Sequence, residues 1–314
     1  GRCVDLKASR FEFGEELIRL AQTHSNFVVC NPDTQSCGLE NFDKLYPGRA
    51  YNFGIAEQAL LDAAAGMASC GNKVYVPTFA VFLTMRACEQ IRQFICYPKQ
   101  DVVLLGTHTG LQVGKDGGTH IALEDVGIMR SMANMTILQP ADGIAARAMA
   151  RYSLDFTGPL YVRLHRSEAL VIHDENYRFR FDQADVLCEY GNDVALVASG
   201  ITVWRALKAA ELLKECGIKA TVVDVQTIKP IDEKTICEVA ARTRAVVTVE
   251  DHNVIGGLGS AVAETLAKSC PTLMRMIGVQ DMFGESADPE ELYENHGITP
   301  EHIAEIACDL AKNK

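Results

Sequence analysis

Gly106-Thr107-His108-Thr109-Gly110-Leu111-Gln112-Val113-Gly114-Lys115-Asp116-Gly117-Gly118-Thr119-His120 decides how this 314-residue chain is read. Directly before it, Asp101-Val102-Val103-Leu104-Leu105 is a short apolar run, the pattern of a buried parallel strand. In open parallel sheets, ligands bind outside the carboxyl ends of the strands. Two imidazoles and a carboxylate on a loop at that edge suit proton transfer and polar substrate contacts. The five glycines are read as places where backbone approaches a ligand closely.

Outward from this loop, strand-like and helix-like segments alternate. The apolar patterns predict strands at 27–30, 73–76, 102–105, 136–138 and 160–162, and helices at 11–22, 56–69, 82–96, 123–131 and 143–154. Residues 167–192 break the rhythm, with charges, aromatics and no clear period. A second alternating block follows at 194–198, 202–216, 220–225, 232–242, 245–249, 260–267 and 273–277. Thr299 and Pro300 are the N-cap and first-turn signals of a last helix. The alternation predicts an α/β protein of two doubly wound domains, residues 1–172 and 193–314, joined by a connector at 173–192.

Composition narrows the function. Net charge is −11 with no basic run, which argues against nucleic acid or an anionic membrane as partner. No apolar run approaches the roughly 20 residues that span a bilayer, and residues 1–5 lack the apolar core of a signal peptide. The eleven cysteines are scattered and never form Cys-x-x-Cys, the pattern of reduced thiols in a cytoplasm.

Several polar residues follow predicted strands and so gather at one sheet edge: Asp33, Thr78, Phe79, His108, Arg163 and Arg166. Together they suggest a pocket with an acid, imidazoles, an aromatic wall and two guanidiniums. Glu57 opens a helix of small and apolar residues, expected to be buried on most faces. It is either a first-turn carboxylate favoured by the helix dipole or an acid delivered into a buried site.

Phe53-Gly54-Ile55-Ala56-Glu57-Gln58, Pro77-Thr78-Phe79-Ala80-Val81-Phe82, the 107–120 loop and Gln139-Pro140-Ala141-Asp142 occur in an order that resembles the pyrimidine-binding domain of the transketolase family. Lys229-Pro230-Ile231-Asp232 and Val249-Glu250-Asp251-His252-Asn253 before Gly256-Gly257-Leu258-Gly259-Ser260 resemble that family's smaller C-terminal domain. The resemblance covers essentially the whole chain. It implies an enzyme that uses thiamine diphosphate to pass a two-carbon ketol unit from a ketose phosphate to an aldose phosphate.

By that resemblance, Glu57 contacts a ring nitrogen of the cofactor's pyrimidine, Phe82 and Phe79 stack on the ring, and Asp33 lies near the thiazolium. Asp116 accepts from a donor hydroxyl, and His120 contacts the oxygen where charge develops. His108, Arg166, Arg10 and Ser36 hold the distant phosphate. Met85 stands where the family has a second aromatic, which implies a trimmed pyrimidine pocket. Arg163 reads equally well as a structural ion-pair partner.

The family's Gly-Asp-Gly signature for magnesium and diphosphate is missing. No metal ligand is therefore expected in this chain. The resemblance implies the C-terminal half of a split enzyme: thiamine diphosphate is shared with an N-terminal subunit that binds Mg, in an α2β2 heterotetramer. Asp142-Gly143 reads as a helix N-cap, and Gly256–Ser260 as a packing turn in preference to a phosphate loop. Three alternatives stand beside this reading: the β subunit of a 2-oxoacid dehydrogenase, a deoxyxylulose-phosphate synthase-like enzyme, and a non-catalytic assembly module.

Overall fold

The computed structural model describes residues 6–314 except Gln35, so the reading of residues 1–5 lies outside the described residues. Its first half contains the strands β1 (Leu6–Lys7), β2 (Phe27–Asn31), β3 (Ala50–Asn52), β4 (Lys73–Phe79), β5 (Val102–Thr107), β6 (Thr136–Leu138), β7 (Leu160–Arg163) and β8 (Ala169–Leu170). The second half adds β9 (Asp185–Glu189), β10 (Val194–Ala198), β11 (Ala220–Asp224), β12 (Thr227–Lys229), β13 (Ala245–Asn253) and β14 (Leu273–Val279). Seven strands form one sheet in the order β12-β6-β7-β5-β4-β2-β3, and five form another in the order β14-β13-β10-β11-β9. Both are mainly parallel and carry helices, the two-domain α/β fold expected.

Burial explains why these strands read as continuous apolar runs. Every residue of β5 and of β10 is buried, as in a parallel sheet covered on both faces. The helices Ser9–Leu20 and Gly143–Asp155 cover the first sheet, and Val203–Glu215 and Pro300–Lys312 the second. Asp142 and Thr299 cap as their sequences suggest, accepting from the N–H of Ala145 and of His302.

Three differences from the sequence reading matter. The 173–192 segment contains β9, an antiparallel edge strand that pairs with β11. Only its inner neighbour protects it, so it shows no clean alternation. The expected helix at 82–96 is wound wide at Phe82–Arg86 and Ile91–Cys96, with one ordinary turn at Cys88–Gln90 between. Such wide turns recur at functional sites. Lastly, β12 leaves the second half and pairs antiparallel with β6, closing the edge of the first sheet.

Candidate active site

The parallel register of β4 and β5 sets Phe79 beside Thr107 at the carboxyl edge of the sheet. The next residue, His108, turns at φ 54° and lays its imidazole on the Phe79 ring, centroids 3.8 Å apart and planes 16° from parallel. A left-handed conformation costs a non-glycine residue about 1–2 kcal/mol, so the surrounding structure must hold His108 there. Phe82 lies parallel to Phe79 at 5.9 Å, and His120 stands edge-on to Phe82 at 5.3 Å and to Phe79 at 6.2 Å. Four rings from three segments form one aromatic cluster.

Glu57, the first residue of the helix Glu57–Ser69, is 2% exposed. Its carboxylate turns to Arg86, which donates from Nη1 to Oε2 at 3.1 Å while its guanidinium lies 4.6 Å over the Phe82 ring. The other oxygen, Oε1, is buried with no hydrogen-bond partner among the described residues. Leaving such an acceptor unmatched costs about 1–3 kcal/mol, so a donor group arriving there is favoured. The expectation that this helix is buried on most faces is corrected. Leu60, Leu61, Ala64, Ala65 and Ala68 form the buried stripe, while Gln58, Ala59, Asp62, Gly66 and Ser69 face outward.

Arg166 donates to Asp116 Oδ2 at 2.9 Å and to the Val113 carbonyl at 2.6 Å. Arg10 donates to the carbonyls of Arg166 at 2.9 Å and Ser36 at 3.0 Å. The two arginines line one cavity of about 400 Å³ with Lys7, Phe11 and Ser167. The Ser36 hydroxyl is buried and has no hydrogen-bond partner among the described residues. Burial, and then the charges of Arg10, Arg166 and His120, push the His108 imidazole down to about 3. Thr107 Oγ1 donates to the Thr78 carbonyl at 3.2 Å and lies 2.9 Å from His108 Nδ1. The network therefore assigns the His108 hydrogen to Nδ1 and leaves Nε2 as an acceptor.

Asp33 stands apart from the ring cluster. It accepts from Asn52 Nδ2 at 3.0 Å and lines a recess of about 240 Å³ with Glu40 and Asp43. Arg163 leaves the site altogether: it is 2% exposed and forks onto the buried Asp125 at 2.8 and 3.1 Å. The reading of the five loop glycines is also corrected. A Cβ at Gly106 would strike Tyr161, one at Gly110 the Asp251 carboxylate, and those at Gly114, Gly117 and Gly118 residues 283–289. They admit neighbouring protein. The second-half glycines end in a packing turn, because Glu250 accepts from the N–H groups of Leu258 at 2.7 Å and Gly259 at 2.9 Å, where an anion would otherwise bind.

Sequence reasoning missed Arg86 and Thr107. Arg86 lies four residues after Phe82, the spacing of facing side chains in an ordinary helix, but this segment is wound wide, so the sequence carried no clear signal for its contact with Glu57. Among the described residues, no group of three or more His, Cys, Asp or Glu is placed to hold a metal ion, and no helix is long and apolar enough to cross a membrane.

Residues 7–170 match the model of the transketolase pyrimidine binding domain, and residues 182–303 that of the transketolase C-terminal domain. The chain is 40% identical over 313 residues to a putative transketolase C-terminal section of Methanocaldococcus jannaschii, covering 98% of each. It is 38% identical to a 6-deoxy-6-sulfo-D-fructose transketolase subunit of Clostridium sp. (strain MSTE9), covering 95% of this chain and 92% of the relative. A solved structure described as a split gene transketolase, inactive beta4 tetramer, superposes with a TM-score of 0.90 at 40% identity, covering 97% of this chain and 98% of that one. Ordered motifs, fold and relatives agree, and the chain belongs to the transketolase family.

Proposed function

We propose that this chain is the pyrimidine-binding subunit of a two-subunit, thiamine diphosphate-dependent transketolase that moves a two-carbon ketol unit from a ketose phosphate to an aldose phosphate. One observation carries the reading: Glu57 holds a buried carboxylate oxygen with no partner among the described residues, and Arg86 links it to the Phe82 ring that lies parallel to Phe79. Aromatic faces beside one buried carboxyl group fit an aminopyrimidine. When bound, thiamine diphosphate supplies a nucleophilic carbon and an electron sink for the transferred unit.

The chain's own residues supply orientation and charge. Glu57 would hold the ring nitrogen through a proton shared with Oε1, while Arg86 keeps Oε2 fixed. His120 faces the reacting oxygen, a donor position often worth about 2.7–4 kcal/mol. Asp116 accepts from a donor hydroxyl, steadied by Arg166. Arg10 and Arg166, with Ser36, take the phosphate end of the sugar, for which forked guanidiniums are suited, and His108 donates to it from Nε2 once the bound anion has brought a proton to the ring. Asp33 borders the thiazolium side.

The partner is an N-terminal subunit that holds the diphosphate and Mg, assembled as an α2β2 heterotetramer in the cytoplasm. The names of the relatives, a C-terminal section and a split gene product, support the division. So does the surface: Ile55, Phe94 and Tyr97 are exposed at 74%, 47% and 81%, and the outward face of Glu57–Ser69 borders an open groove of about 550 Å³. The test is reconstitution of this chain with a subunit carrying the Gly-Asp-Gly signature, followed by an assay of ketol transfer between sugar phosphates. A stable complex without transfer from any ketose phosphate would overturn the substrate class.

A further inference from the structure

The loop that carries Asp116 and His120 does not hold its own shape. Leu111, near the start of the tight turn Gly110–Asp116, donates its backbone N–H to Oδ1 of Asp251 at 2.9 Å. Asp251 belongs to β13 of the second sheet and is 1% exposed. Its other oxygen accepts from the Tyr293 hydroxyl at 2.7 Å, and its backbone carbonyl accepts from Arg163 at 2.9 Å. Tyr293 is itself clamped beneath the Arg205 guanidinium, 4.1 Å from the ring centroid, and Arg205 forks onto Glu290 at 2.8 Å. Gly110, at φ 64°, has no room for a Cβ against the Asp251 carboxylate. Further along, Gly117 and Gly118 lie against Ser286 and Gly284. The far end of the loop is tied by Arg166 to Asp116.

We propose that Asp251, supported by Tyr293, is a positioning residue for Asp116 and His120, so that the second domain sets the geometry of substrate contacts made by the first. Asp251 touches neither the ring cluster nor Glu57 and acts only through the Leu111 N–H and the turn that follows. The inference rests on the transketolase reading for its kinetic consequence, but its structural part stands on the chain alone.

The experiment combines Asp251→Ala, Asp251→Asn and Tyr293→Phe. In the chain by itself, amide exchange of residues 111–120 should accelerate by about tenfold or more in Asp251→Ala, while β4 and β5 keep wild-type protection. In the reconstituted complex, kcat/KM for the ketose phosphate should fall by roughly ten- to a hundredfold, the scale expected of a reacting geometry displaced by about 1 Å. The affinity for thiamine diphosphate should stay within about twofold of wild type, since Glu57, Phe79 and Phe82 lie on other segments. Asp251→Asn keeps an acceptor for Leu111 and should restore most of the rate. Tyr293→Phe removes one support and keeps the acceptor, so it should fall between. Should Asp251→Ala fail to fold, Tyr293→Phe decides on the same readouts. Unchanged exchange at 111–120, or equal losses of cofactor affinity, turnover and global stability, would overturn the proposal. Absent turnover by the wild-type complex would remove the transketolase reading and leave the exchange result to decide the structural claim.

Discussion

Arg86 donates to one oxygen of Glu57 at 3.1 Å and leaves the other buried, with no partner among the described residues. A carboxylate held on one side and open on the other has a fixed direction in which to meet a ligand. Phe82 shares in the arrangement, because the same guanidinium lies over its ring. Met85, three residues after Phe82, is 38% exposed.

Glu57→Gln should fold and assemble normally, since an amide fills the same volume. It can hydrogen-bond but cannot exchange a proton, so turnover of the reconstituted complex should drop at least ~10²-fold. Near wild-type turnover would return Glu57 to a helix-dipole role.

His108→Ala should weaken use of a ketose phosphate and leave the unphosphorylated donor hydroxypyruvate little changed. Loss of one charge-assisted hydrogen bond costs about 1.5–3 kcal/mol, or roughly ten- to a hundredfold in kcat/KM. Arg166→Ala should show the same phosphate loss with an added penalty on both donors, because Asp116 then loses its ion-pair partner. Equal losses for both donors in His108→Ala would place that residue with the fold or the cofactor.

The isolated chain should bind thiamine diphosphate weakly and turn over nothing, with both properties appearing when the partner is added. Titration calorimetry of the chain alone decides this; tight binding would contradict a site divided between subunits.

His165 is buried, Ser9 donates its N–H to Nε2 at 3.1 Å, and burial pushes the ring down to about 4 from 6.5. The folded value lies below the unfolded one, so the unfolded chain binds the extra proton. The associated stability is intact above 6.5 and is lost as the pH falls toward 4. Between those values His165 should contribute a slope of ~1.4 kcal/mol per pH unit. Denaturant unfolding of wild type and His165→Gln across that range should therefore converge as the solution is acidified. A constant difference would mean that His165 is already protonated in the fold.

Arg163→Met should cost ~3–5 kcal/mol, the usual penalty for stranding one charge of a buried pair. Asp125 would keep only the Tyr161 hydroxyl at 2.6 Å and a distant His252. A change below about 1 kcal/mol in chemical denaturation would show that the pair is not the anchor its burial suggests.

The fold was largely legible because parallel strands covered on both faces leave an unambiguous apolar signature, as 102–105 and 194–198 show. Strand β9 was not, because half-exposed edge positions need no alternation. That Glu57, Phe82 and the loop histidines lie near one another was legible through the order of motifs. The Arg86 contact was not, because it depends on a widened helical turn that no apolar period announces. The loop glycines misled for a related reason: a missing Cβ marks a close approach without saying what approaches, and here it is Tyr161 at Gly106 and the second domain at the other four.

Strand β12 also bears on how the chain is made. During synthesis β6 appears long before the residues that cover its open edge. An uncapped strand edge is a template for pairing with other chains, and a nascent chain passes through this state each time it is produced. A fragment ending after β8 would keep the edge at Ile137 and Leu138 open permanently, because the residues that pair there, Thr227 and Lys229, belong to the other half.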